Sequence, residues 1–371
     1  MGCNLSKAAQ RSDVPTNVPK PNAERFSFMQ IRPINLALLL GALTLLTRAD
    51  NPQPSPAAVA AATKSAEAAS TFLNTLSEQQ RAAALFPFND EAQRKRWSNL
   101  PTPMFKRAGL RLGDLSPVQR DAAMKLLATM LSQMGYEKTI GIMEGDETLK
   151  TGGGPGGPAF GRDEYYISFL GKPSAAEPWM LQFGGHHLAL NITVYGPRGV
   201  MTPSHTAAQP SSFTLNGKTI RPLAGEYDKS FLVLNSLNED QKRRAIIGSR
   251  MADLVLGPGH DGQTIQPEGL KASEMTDAQR ALLLDLIHEW VGMIQNAAAE
   301  EKMTEVKGGL AETWFAWSGP TEAGSAAYYR IQGPTVFIEF APQRLGGSAT
   351  NHLHTMYRDP TNDYGRKFAK P

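Results

Sequence analysis

Residues 109–120 read GLRLGDLSPVQR, and residues 269–280 read GLKASEMTDAQR. Each stretch places a hydroxyl side chain three residues ahead of a glutamine: Ser116 before Gln119, and Thr276 before Gln279. That spacing is a capping box, in which the hydroxyl accepts from the third helical N–H and the glutamine reaches back to the cap. Pro117 stands at the first helical position, where its missing N–H costs nothing. Upstream, LSEQQRAAA (76–84) is echoed by LNEDQKRRA (237–245), with Ser77 and Gln80 matched by Asn238 and Gln241. Gly109 and Gly269 lie 160 residues apart, and Leu76 and Leu237 lie 161 apart, so spacing is repeated along with wording.

The text that follows each box predicts the same elements. Ala123, Leu126, Leu127, Met130, Leu131 and Met134 form one apolar stripe, and Leu283, Leu286, Ile287, Trp290, Val291 and Ile294 form another. Strand-like runs come next: 165–170, 179–183 and 187–195, then 314–317, 327–332 and 335–340. Helices segregated from strands mean an α+β fold rather than a doubly wound one. The expectation is one large domain over 58–371, made of two tandem related halves, about 70–200 and 231–371, arranged about a pseudo-twofold with helical stripes covering antiparallel strands.

Four phrases in order, FGGHHLALNITV (183–194), LGPGHDG (256–262), YYRIQGPTVFIEF (328–340) and NHLHTMYRDPTNDYG (351–365), resemble DUF3500, a bacterial family of unknown function. The resemblance runs from about Ala58 to the C-terminus. It implies a protein that is frequently exported and carries over no activity. In the family pattern His205 and His260 are less typical than the other histidines.

Composition narrows the class. A chain of 371 residues with 41% hydrophobic and 20% charged residues is globular, and a net charge of +3 without a basic stripe argues against nucleic acid. Ile34–Leu46 is an uncharged run of thirteen residues, too short to span a bilayer and suited to a signal-peptide core. Thr47-Arg48-Ala49 offers a cleavage site, and the prolines of 50–57 a linker. The expected mature protein starts near Asp50, is periplasmic or extracellular, and keeps no membrane span. Residues 1–28 fit a start placed ahead of Met29; the rival is N-myristoylation at Gly2. The single cysteine, Cys3, falls in the removed segment, so any metal must be held by N and O ligands.

Seven histidines are present, four of them in two tight groups. His352 and His354, two apart, share a face if extended, with Cα atoms roughly 6.5–7 Å apart, which lets both reach one ion. His186 and His187 are adjacent, so a strand would point them to opposite faces. His187 then shares the polar face of Asn191 and Thr193 and is the better ligand, while His186 is a core residue or a support for the ligands. The flanking glycines also allow a turn. Glu339, a carboxylate in the apolar run VFIEF, is the candidate general base or further ligand. Asp359 and Asp363 are candidates to orient the imidazoles. Such a set suits Zn, Fe or Cu. Two functions follow: an exported metal-dependent enzyme, hydrolytic or oxidative, acting on a small molecule; or a non-catalytic protein binding a small ligand or a metal. Structural histidines are the plain alternative to both.

Overall fold

The computed structural model of the protein describes residues 54–150, 157–345 and 347–368. The expected signal segment lies outside the described residues.

The described residues open with helix α1 (Pro56–Asn74) and the short α2 (Glu78–Ala84), which leads into β1 (Leu85–Phe86). A helical turn, α3 (Glu91–Arg94), and β2 (Leu110–Arg111) precede α4 (Pro117–Met130) and α5 (Gln133–Thr148). Five strands follow: β3 (Tyr166–Leu170), β4 (Trp179–Gly185), β5 (Leu188–Tyr195), β6 (Arg198–Val200) and β7 (Ser204–Ala208). A small hairpin of β8 (Phe213–Leu215) and β9 (Lys218–Ile220) leads to α6 (Ala224–Ser236) and α7 (Glu239–Ala245). Then come β10 (Ile246–Gly248), β11 (Leu270–Lys271), α8 (Asp277–Val291) and α9 (Asn296–Gly308). The chain closes with β12 (Trp314–Ser318), β13 (Tyr328–Gln332), β14 (Phe337–Pro342) and β15 (Leu353–Arg358).

The fold is α+β. Its sheet runs β1-β3-β4-β5-β7-β15-β14-β13-β12-β10, antiparallel throughout this path except for the parallel β1–β3 and β10–β12 pairs. The four expected capping boxes all form, at Ser77, Ser116, Asn238 and Thr276. The two apolar stripes are interrupted. Helix α4 ends at Met130, α8 ends at Val291, and the broken ends join: Leu131 bridges Ile294, and the Ser132 hydroxyl donates to the Gly292 carbonyl. These contacts satisfy the helix-end groups that a continuous helix would have bonded internally.

One face of the sheet is apolar and carries the helices. Ile167, Phe169, Leu181, Phe183 and Ile192 pack on Phe72, Leu126 and Leu127, while Phe315, Trp317, Tyr329, Ile338 and Phe340 pack on Leu234, Leu283, Ile287 and Trp290. The opposite face is unusually polar for a buried surface. Gln182 stands across from Asn191, Met356 across from His205, and Glu339 between Arg330 and Met356. Loops roof this face and satisfy it: Gln182 donates to the Arg94 carbonyl, and the Trp97 indole donates to the Tyr364 hydroxyl. No helix among the described residues is long and apolar enough to cross a membrane.

Candidate metal centre

The central strands of the sheet bring three of the predicted residues together. His354 lies in β15, paired with Ala341 on one side and Ala207 on the other. His352 stands just before that strand and, as its spacing predicts, aims the same way. Its Nε2 is 2.9 Å from Nε2 of His354 and 3.0 Å from Nε2 of His187. The nitrogens of His187, His352 and His354 all lie within 4.8 Å of one another.

His187 reaches this point by a route other than the expected strand. Gly185 pairs with Leu188, so His186 and His187 form the two-residue tip of the β4–β5 hairpin. His187 has φ 64°, in the left-handed region where a residue with a Cβ is uncommon. The glycines before it are required by close approach: a Cβ on Gly184 would stand 2.4 Å from the Leu188 carbonyl oxygen, and one on Gly185 would stand 2.9 Å from the Tyr165 ring. Four bonds pin the tip, one of them from the His187 N–H to the Asn99 carbonyl. The Tyr165 hydroxyl donates to the His186 carbonyl, Arg107 donates to the Gly185 carbonyl, and the Ala207 N–H donates to the His187 carbonyl.

The imidazoles are held neutral. Burial, and then the neighbouring histidines, keep His187 and His354 well below the usual range, and burial lowers His352. His352 places Nδ1 2.7 Å from the Leu345 carbonyl, which can only accept, so Nδ1 carries the proton and Nε2 presents its lone pair to the cluster. A metal ligand needs this tautomer, fixed by an outer carbonyl. Ligand nitrogens at about 2.0–2.1 Å from one ion are separated by about 2.9 Å at right angles and about 3.3 Å in a tetrahedral set, and the two contacts seen lie at the short end of that span.

Two residues join the cluster that the sequence reading undervalued. His205, in β7, is fully buried with its ring 5.2 Å from that of His354, and burial pushes it down to about 3. Asp146, in α5, is buried and holds Nδ1 of His186 at 2.5 Å, while its other oxygen accepts from the Gly161 N–H at 2.8 Å. The His186 ring in turn stacks on His187 at 3.5 Å. Asp146, His186 and His187 form a second buried group with ligand atoms within 4.8 Å. A signal for Asp146 was present: Thr139, Ile142, Met143 and Asp146 make one buried helical stripe, on which a carboxylate is out of place.

Three expectations are corrected. Glu339 belongs to neither histidine group; its oxygens accept from the Val255 and Leu256 N–H groups and the Tyr328 hydroxyl. Its place in an apolar strand is thus explained by three donors that offset its burial. Asp359 pairs with Lys302 at 2.6 Å, and Asp363 pairs with Arg358 at 3.1 Å. Neither orients an imidazole. His288 is exposed on α8 and His260 bonds Gln263, so both stand outside the site.

A broad sheet with helices on one face and a buried histidine cluster under its central strands defines an α+β protein with groups able to hold a metal ion. The chain belongs to DUF3500, a family of proteins of unknown function, whose model matches residues 58–366. No curated protein and no solved structure matches it.

Proposed function

We propose that the chain is an exported protein that binds one divalent transition-metal ion, Zn, Fe or Cu, through His187, His352 and His354. The observation that carries this reading is the convergence of three neutral imidazoles whose Nε2 atoms meet at 2.9 and 3.0 Å. Three protein ligands leave a coordination position for an exchangeable molecule, the arrangement of catalytic rather than structural sites. The reading therefore extends to a metal-dependent hydrolytic or oxidative enzyme acting on a small molecule, in which the ion would supply Lewis acidity or an activated water. The engagement of Glu339 elsewhere favours the alternative of a non-catalytic metal-binding protein. A metal-free trio is the remaining reading, in which the one lone pair on Nε2 of His352 accepts from an imidazole N–H of His187 or His354.

Metal analysis of the untagged protein separates these. One equivalent of ion in wild type and in His288→Ala, and its loss in His354→Ala, is the expected result. Wild-type protein that neither retains nor takes up an ion overturns the proposal.

We further propose that the two halves, 70–200 and 231–371, are tandem relatives. Support comes from the repeated phrases, the four matched capping boxes, and the pairing of β7 with β15 at the middle of the strand order. Export rests on the uncharged run Ile34–Leu46 and its cleavage site.

A further inference from the structure

His205 stands beside the three ligands without belonging to them. It pairs across the sheet with Ala189 in β5 and Met356 in β15, so neither cross-strand neighbour offers its ring a polar side chain. The residue is completely buried, and neither ring nitrogen has a hydrogen-bond partner among the described residues. Burial of an imidazole with both nitrogens unpaired is costly, and native folds rarely keep such a group without a use. Its ring stands edge-on to that of His354, with 5.2 Å between the ring centres, so it borders the cluster. Yet its nitrogens do not fall within the mutual 4.8 Å of the three-histidine group. That separation is too long for a common ion and suits a group one atom further out.

We propose that His205 hydrogen-bonds the small molecule completing the metal's coordination, a water or a monodentate anion, and so selects what binds there. The inference rests on the three-histidine metal reading and makes His205 a positioning residue for the exogenous ligand. A donor atom on the ion at about 2 Å, followed by a hydrogen bond of about 2.8 Å, spans the gap that direct ligation does not. Because His205 is also without a polar neighbour in the sheet, a leucine of similar size should fill its place without orphaning another group.

The test uses the untagged full chain loaded with Co2+, with azide as the anion, followed by the visible spectrum of the ion. His205→Leu should bind Co2+ with wild-type stoichiometry while its azide Kd rises about tenfold, the worth of one hydrogen bond to a charged group. His205→Gln, which keeps a donor, should recover most of that loss. Unchanged azide affinity in His205→Leu overturns the role of His205 and leaves the metal site standing. Loss of Co2+ from both variants makes His205 a ligand and equally overturns it. Failure of wild type to bind Co2+ defeats the metal reading itself, and this inference with it.

Discussion

At the scale of single residues, the histidines are governed by burial. His187 and His354 sit well below the ordinary range and His205 at about 3. In the unfolded chain each imidazole titrates near 6.5, so as the pH falls the unfolded state takes up protons first. Their contribution to stability is therefore complete above about pH 6.5 and drains away below it. The melting temperature of chelator-treated protein should fall steadily from about pH 7 to about pH 5; a flat profile would show that the buried rings are not held neutral. Asp146 gives a second prediction. Its removal leaves Nδ1 of His186 and the Gly161 N–H without their carboxylate. Asp146→Ala should cost about 2–4 kcal/mol in urea unfolding. A change under about 0.5 kcal/mol would mean that the pair is idle. Residue chemistry was half legible in the sequence. His352 and His354 declare themselves by spacing. Glu339 stands out in sequence as an acid in an apolar run and Asp363 as one close behind His354, and only the donors folded against each one reveal their work.

At the scale of elements, what is local was legible and what is tertiary was not. A capping box is complete within four residues, so Ser77, Ser116, Asn238 and Thr276 announce their helices without help from the rest of the chain. The strands β7 and β15 escaped, although they stand at the centre of the sheet. Their sequences, SHTAA and LHTMYR, mix polar residues into both because one face is roofed by loops instead of an apolar layer. The tip of the β4–β5 hairpin was half legible: the glycines allowed a turn, but His186 and His187 occupy positions where Asn and Gly are the usual signal. The hairpin makes a direct prediction. Gly184→Ala must displace the Leu188 carbonyl, 2.4 Å from the new Cβ. It should lower both metal affinity and stability. Gly308→Ala, with nothing within 4 Å of its Cβ at the end of α9, should be neutral or stabilising by up to about 1 kcal/mol. Equal melting temperatures for the two variants would contradict the account of the hairpin.

At the scale of the whole molecule, a single sheet carries two helical packs, with Leu127 under one and Ile287 under the other, both fully buried. Leu127→Ala and Ile287→Ala should each cost about 2–5 kcal/mol. Because the sheet is continuous through the β7–β15 pair, each variant should unfold in one transition in denaturant; two separated transitions would mean that the packs are independent. The same continuity explains where the site lies. Its ligands come from the β4–β5 hairpin and from β15 with the residue just before it, some 165 residues apart between His187 and His352, so local spacing united His352 with His354 while the approach of His187 depends on the fold. The X-ray absorption spectrum of the zinc-loaded protein tests that meeting most directly. The account predicts three imidazole nitrogens at about 2.0–2.1 Å together with one exchangeable oxygen scatterer, and loss of the imidazole signal in His354→Ala. A spectrum dominated by oxygen, unchanged in His354→Ala, would contradict it.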